Sequence, residues 1–507
     1  MKRIALFTAL TIALTANFAA DAGDNNDNLV GKVPFLTGTA QDLDYSKSPT
    51  HPFINSALPN PPESEYSGPL FQLRHDYPSS VPSNTDYPWK AVTNNGPITQ
   101  ENAMAYVEAL KAYVSDDMRK LIYNYNEWDA PNEPWWQSIW LGTEREPIHG
   151  FYVGSGFPAG TLTHQKLDLT TYVLTLYDAT AAVTLGNIWG TTEEQAFNPN
   201  ITNPGAQYAE GSVIVKFAFV TPCGKDWSPM EGTAVLPIYA PLNTSNGSGN
   251  NPSESKCPNN GSKGTTANPT VTNIYMMQFD IIVKDSEAAP ETGWVFSTLV
   301  YDKDAKGSDA WDRMVPLGAT WGGNPDVINT SGEALTPPAK VNPELTENWI
   351  NLDTPDYARS TLGWDGRLSG PNDGAVVTPA FAGSHYYPKG LSSAGCLGCH
   401  SSAQYNPNGQ PHMKSFLLPA TTQPPTVVSP PLSSAGGQAL MLFEPGSKGW
   451  MKWFQSRPGD VPMDSGQVAL DYDMVTAFKA IPVWQAALKA IENENAVKAS
   501  KKRATRD

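Results

Sequence analysis

The sequence predicts a multidomain α+β chain, with an antiparallel β-rich region in the middle and a mostly helical region after it. Three observations carry this. Between about residues 150 and 322, β-branched and aromatic runs recur, separated by turn formers and with no helix of crossover length between them. Beyond about residue 350 the apolar spacing turns helical, most clearly over Val468–Val497. Charged residues make up only 17% of the chain, while Pro and Gly number 45 and 41, a composition of strands and ordered turns.

Taken in order, residues 1–22 read as a secretory signal peptide: Lys2 and Arg3, an apolar run Ile4–Ala16, and a small-residue site at Ala20-Asp21-Ala22. The apolar run is too short to span a bilayer, so the mature protein is expected to be exported, periplasmic in a bacterium. Residues 23–98 form a Pro-rich arm whose aromatics (Phe53, Tyr66, Phe71, Tyr77, Trp89) are expected to pack on the next domain. A helix is predicted from about Thr99 to Tyr123, with Ala103, Val107, Leu110, Tyr113, Met118, Leu121 and Ile122 at helical spacing. An aromatic knot follows: Trp128, Trp135, Trp136 and Trp140 amid Glu127, Asp129, Glu133, Glu144 and Glu146. Trp beside carboxylates suits a carbohydrate site or an acid/base pair, but no second catalytic signature accompanies it, and a Trp-covered domain seam explains it more simply.

Strands are predicted at Leu169–Tyr177, Ser212–Val220, Ala234–Tyr239, Ile274–Val283 and Trp294–Tyr301. With the helix they make a domain over residues 99–350, for which an antiparallel sandwich or jelly-roll-like packing is the expected solution. Residues 351–495 form the later region, with Pro482 expected to break its last helical span in two, and residues 496–507 a basic tail.

Inside that later region stands Gly395-Cys396-Leu397-Gly398-Cys399-His400, which reads C-x-x-C-H. Two thiols three positions apart can each add to one of two neighbouring vinyl groups on a porphyrin edge. A histidine directly after the second thiol can then meet the iron from one face. A zinc site is disfavoured, because Cys223 and Cys257 form no second C-x-x-C. A thioredoxin-like pair is disfavoured too, because Tyr386–Ala394 is not a buried parallel strand. Over these residues, and loosely over the helical region after them, the chain resembles the c-type cytochromes. The resemblance implies one covalently bound haem c on Cys396 and Cys399, His400 as proximal iron ligand, and a helical cytochrome c-like fold over residues 351–495.

The distal iron ligand decides what such a haem does. Met463 is preferred, because Gly459–Gly466 is a Pro/Gly loop that would present a thioether rigidly. Met413, Met441, Met451, Met474, His412 and His385 are the alternatives, with core packing the simpler role for Met441, Met451 and Met474. In an exported chain the remaining cysteines, Cys223 and Cys257, suggest a disulfide closing an Asn/Ser/Gly/Pro-rich loop, worth about 3 kcal/mol. A net charge of −16 disfavours nucleic acid and would suit a basic redox partner, although solubility alone accounts for it as well.

Single-electron transfer through the haem is therefore the leading function. A haem-dependent oxidoreductase with a substrate site in the β-rich domain, or a haem ligand or gas binder with an open distal site, stand as alternatives. No dinucleotide fingerprint, H-E-x-x-H or nucleophile elbow accompanies the motif, and no catalytic residue is assigned.

Overall fold

The computed structural model describes residues 51–83, 86–157, 159–167, 169–221, 226–241, 269–374, 390–408, 418–421, 433–435 and 438–504. The signal peptide, Cys223 and Cys257, His385, His412 and Met413 lie outside the described residues.

Helix α1 (Ala103–Tyr123) buries Tyr106, Val107, Leu110, Val114, Met118 and Leu121, a stripe at three- and four-residue spacing. The Asn102 side chain, at its N-cap, accepts from the Thr99 amide at 2.8 Å. The stripe covers one face of a nine-stranded sheet. Its strands are β1 (Trp135–Trp136), β2 (Tyr152–Phe157), β3 (Leu169–Asp178), β4 (Val213–Val220), β5 (Val235–Ala240), β6 (Thr270–Lys284), β7 (Trp294–Tyr301), β8 (Met314–Thr320) and β9 (Asn348–Ile350). The order is β1-β3-β4-β6-β7-β8-β9, with β2 on β3 and β5 on β6, and every pairing is antiparallel.

Strand alternation assigns each residue to a face. Val213, Val215, Phe217 and Phe219 of β4 share a core with α1. Ile214 and Ala218 of the same strand face the other way, with Ile282 and Phe296, towards helix α2 (Ala179–Trp189) and the C-terminal third of the chain. Of the arm's aromatics Phe71, Tyr77 and Trp89 are buried, and Phe53 and Tyr66 are half-buried.

Two expectations are corrected. The β-rich region is one sheet covered on both faces, not a sandwich. Strands apolar on both faces fit either solution, and here the second cover is the C-terminal chain rather than a second large sheet. Nor is there a mostly helical cytochrome c-like domain over residues 351–495. That region holds helix α3 (Gly395–His400), short turns, and strands β10 (Gln404–Tyr405), β11 (Ala420–Thr421), β12 (Ser433–Ala435), β13 (Gln438–Leu442) and β14 (Val468–Ala469). Among the described residues its only long helix is α4 (Ile481–Ala504), which follows a π-turn at Thr476–Ala480. Helical backbone is continuous from residue 474 to Ala504, and the π-turn directly before Pro482 takes up the proline's missing amide proton, so Pro482 does not split the span into two helices. The physical reason is shared burial: Leu397, Phe454, Leu470 and Tyr472 belong to the same core as Ile214, Ile282 and Phe296. Apolar residues that can bury against a ready-made sheet need no bundle of their own.

Candidate functional site

Helix α3 carries the C-x-x-C-H motif and is fixed from several sides. It opens on Gly395 at φ 84°, a left-handed conformation that glycine adopts without steric cost. The Cys396 amide donates to the Leu368 carbonyl at 2.7 Å, and the Trp364 amide to the Ser393 carbonyl at 2.7 Å. Gly398 lies so close to Trp453 that a Cβ there would come within 3.0 Å of its carbonyl oxygen. Cys396 and Cys399 are half-buried, and neither forms a disulfide. Spacing by three residues sets both thiols on one side of the helix.

That side looks onto a polar row in the sheet. Lys216 of β4 pairs in register with Asp280 of β6, and Asp280 with Thr298 of β7, so the three share a face. Lys216 Nζ lies 3.1 Å from Asp280 and 3.0 Å from Asp373, while Thr298 and Gln278 donate to Asp280 at 2.8 and 2.9 Å. Burial opposes the Lys216 charge, but Asp373 and Asp280 outweigh it and hold its pKa well above that of an ordinary lysine. For Asp280 burial wins over Lys216, and its pKa is raised. One lysine shared between two carboxylates accounts for both directions. Desolvation, reinforced by Asp280 and Asp373, pushes the Cys396 thiol up to about 12, and desolvation with Asp373 raises the Cys399 thiol well above its ordinary value. Thiols held protonated are poor nucleophiles, which argues against disulfide exchange as the role of the pair.

His400 is placed by a second segment. Strand β10 pairs with β14, Gln404 opposite Ala469 and Tyr405 opposite Val468, and this brings residues 471–473 over the imidazole. There Nδ1 meets the Tyr472 carbonyl at 2.9 Å. A carbonyl only accepts, so the proton is on Nδ1 and the lone pair on Nε2, which has no hydrogen-bond partner among the described residues. Burial lowers the pKa to about 4 despite that hydrogen bond, so the ring is neutral at physiological pH. Phe296 packs on it, ring centroids 4.7 Å apart. The segment presenting the carbonyl is unusual: Asp471 and Tyr472 both adopt positive φ, at 43° and 68°. Buried Asp471 holds it there, accepting from Lys284 Nζ, Trp294 Nε1 and the Tyr208 amide, each at 2.7 Å. Asp473 is gripped by Tyr177 and Tyr208 hydroxyls at 3.1 and 2.7 Å.

No family model matches the chain, and no curated protein or solved structure matches it either. The site is read from its own geometry.

The hydrogen bonding of His400 suits an iron ligand. A metal-bound histidine characteristically donates its second nitrogen to a carbonyl or carboxylate, which fixes the tautomer and the ring. His400 does so with Nδ1, and Nε2 is left to ligate. Among the described residues no three His, Cys, Asp or Glu side chains gather as a metal cage. Haem asks for no such cage, since the porphyrin supplies four of the iron's ligands. Met463 is buried, and its loop is tied to β10 by the Asp464 amide donating to Gln404 Oε1 at 3.0 Å. Met474 has its sulfur 4.0 Å from Ser402 Oγ, in the turn after the motif. Met451 is half-buried in core packing.

Sequence reasoning missed Tyr472, Asp471 and the Lys216–Asp280–Asp373 cluster. A signal existed for part of the cluster: Lys216 is the single charge in otherwise apolar β4 and Asp280 the single carboxylate in β6, and such charges seldom occur unpaired.

Proposed function

We propose that this protein is an exported carrier of single electrons, with one haem c bound through Cys396 and Cys399 and held at the iron by His400. The observation that carries the reading is the His400 imidazole, with its proton committed to the Tyr472 carbonyl and Nε2 free, on the same helical turn as both thiols. Bound haem supplies a one-electron iron couple. The chain's own residues fix the imidazole tautomer, pack Phe296 against the ring and keep both thiols on one side of α3. Met463 is the proposed distal ligand, and an acidic chain of net charge −16 fits a basic redox partner. Among the described residues no helix is long and apolar enough to cross a membrane.

The test is chemical. Protein produced in a host with a haem-attachment pathway, then denatured and extracted with acid acetone, should stay coloured and show the mass of one added haem. Cys396→Ala/Cys399→Ala should lose both the colour and the added mass. A colourless, unmodified wild-type chain would end the proposal. Met463→Ala should abolish the thioether-type low-spin spectrum; an unchanged spectrum removes Met463 as ligand. Carbon monoxide binding at once to the reduced wild type would favour the open-site alternative.

A further inference from the structure

A partly open cleft beside α1 holds polar groups that the haem reading does not use. It has a volume of about 170 Å³ and lies between the arm, the end of α1, the Trp128–Pro131 turn and β3. The Trp and carboxylate knot seen in the sequence thus forms part of its wall. The floor is apolar, made by buried Phe71, Leu121, Leu174 and Leu176. Towards the mouth stand half-buried Trp128 and exposed Gln72 and Asp129.

Between floor and mouth, Gln137 is the group that calls for a ligand. It is 4% exposed, and its two oxygens are already used: Oε1 accepts from the Arg74 amide at 3.4 Å and the backbone carbonyl from the Tyr77 hydroxyl at 2.7 Å. Its Nε2 has no hydrogen-bond partner among the described residues and, unlike the enclosed nitrogens of His149, keeps surface open to the cleft. Buried donors are nearly always satisfied, so this one lacks an acceptor that only the cleft can bring. Asp129 offers the converse. Its Oδ2 accepts from Asn132 at 2.6 Å, which leaves Oδ1 for a donor. The turn that carries Asp129 and Trp128 is preformed: Glu133, paired with Lys120, accepts from the Asp129 amide at 3.2 Å.

We propose that this cleft binds a neutral monosaccharide as its pyranose ring, with hydroxyls on Gln137 Nε2 and Asp129 Oδ1. Size sets the first limit: an apolar cavity of about 150 Å³ takes up benzene, so this one admits a single six-membered ring whose substituents reach the mouth. Polarity sets the second. The ligand must bring an acceptor to Gln137 and a donor to Asp129, and a hydroxyl is both. A purely apolar ring would leave Gln137 unpaired, and an alkylammonium would give it no acceptor. A pyranose carries its hydroxyls round the edge and C–H groups on its faces, which matches an apolar floor below polar groups. Charge sets the third. No Lys or Arg lines the cleft and Asp129 does, so an anion would enter without a counter-charge.

Calorimetric titration of the full-length protein with the methyl glycosides of glucose, galactose and mannose, with glucuronate and with toluene tests this. At least one neutral glycoside is expected to bind at one site, about tenfold or more tighter than glucuronate or toluene. Gln137→Leu should weaken that binding about tenfold, the loss of one hydrogen bond to a buried donor. Asp129→Asn alters an exposed side chain, so it tests the site without threatening the fold, and it should weaken binding as well. Saturation-transfer NMR on the wild type should show the bound sugar's C–H protons in contact with the protein, a readout that needs no variant. No binding of any neutral glycoside, glucuronate or toluene binding as tightly as the best of them, or binding unchanged in Gln137→Leu or in Asp129→Asn would each overturn the assignment.

Discussion

A histidine packs towards each face of the sheet, His149 buried and His400 half-buried, and the two are mounted in opposite ways. His400 has given one nitrogen to a backbone carbonyl and kept the other open; His149 has committed neither. Burial makes both rings neutral, with pKa values lowered to about 4 and about 3. The difference therefore lies in the tautomer, which is set for His400 and undecided for His149. A metal needs a lone pair fixed in direction, and a second-nitrogen hydrogen bond provides that. A ring that serves packing alone needs no such bond, and His149 lies edge-on to Tyr125 and Phe151. The first arrangement also requires a dedicated segment, here the two left-handed residues Asp471 and Tyr472. The second requires only close neighbours.

The comparison is broken most forcefully at that segment. Asp471→Ala removes the acceptor of Lys284, Trp294 and the Tyr208 amide and leaves Lys284, 13% exposed, without its carboxylate. Breaking a buried pair in this way costs about 3–5 kcal/mol. A fall of that size in the urea-unfolding free energy is expected, together with loss of the positive-φ turn that aims the Tyr472 carbonyl. A loss below about 1 kcal/mol, the range of surface pairs, would mean that Asp471 does not hold the turn.

Acid sharpens the comparison next. In haem-free protein made as Cys396→Ala/Cys399→Ala, the folded pKa of His400, about 4, lies below its ordinary value of 6.5. Between those values the unfolded chain binds a proton that the folded chain refuses. The His400 contribution is therefore full above pH 6.5 and is lost as pH falls towards 4, by at most about 1.4 kcal/mol per pH unit. Adding His400→Phe should remove that loss. On the other face Glu146 runs the opposite way. Burial raises its pKa from 4.5 to about 7, so folding takes up a proton and its contribution is lost as pH rises between those values. It opposes His149 over their shared window, so His149→Phe alone should leave stability falling more steeply as pH rises there. Unfolding midpoints measured through the window check both signs.

How much of this the sequence disclosed follows from the range of each interaction. The motif was legible because its three residues act within one turn of chain, and α1 was legible because its stripe repeats locally. The strands Trp294–Tyr301 and Val213–Val220 were visible from residue type. That they lie in one sheet was not, because Val213 and Ile214 look equally apolar whether a helix or a second sheet covers them. Gln438–Leu442 lies in the region expected to be mostly helical, yet it pairs antiparallel with Ser433–Ala435. Tyr472 was invisible for a further reason: it acts through its carbonyl, which every residue has. His149 stood in the sequence as one of seven histidines, and only the fold shows it buried with neither nitrogen committed.

The smallest effect separates the two histidines by sign. In the same haem-free background, His149→Phe replaces two unpartnered nitrogens with carbon at nearly constant shape. An unsatisfied buried polar atom costs about 1–3 kcal/mol, so removing both should leave the protein no less stable, with a gain of about 1 kcal/mol after the slightly larger ring is accommodated. His400→Phe does the reverse. It strips the Tyr472 carbonyl of its donor and should cost about 1–3 kcal/mol near neutral pH. Urea titrations with equal m-values read both changes directly. Destabilisation by both substitutions would mean that His149 has a hydrogen-bond partner in the folded protein, and the contrast between a committed and an uncommitted ring would fail.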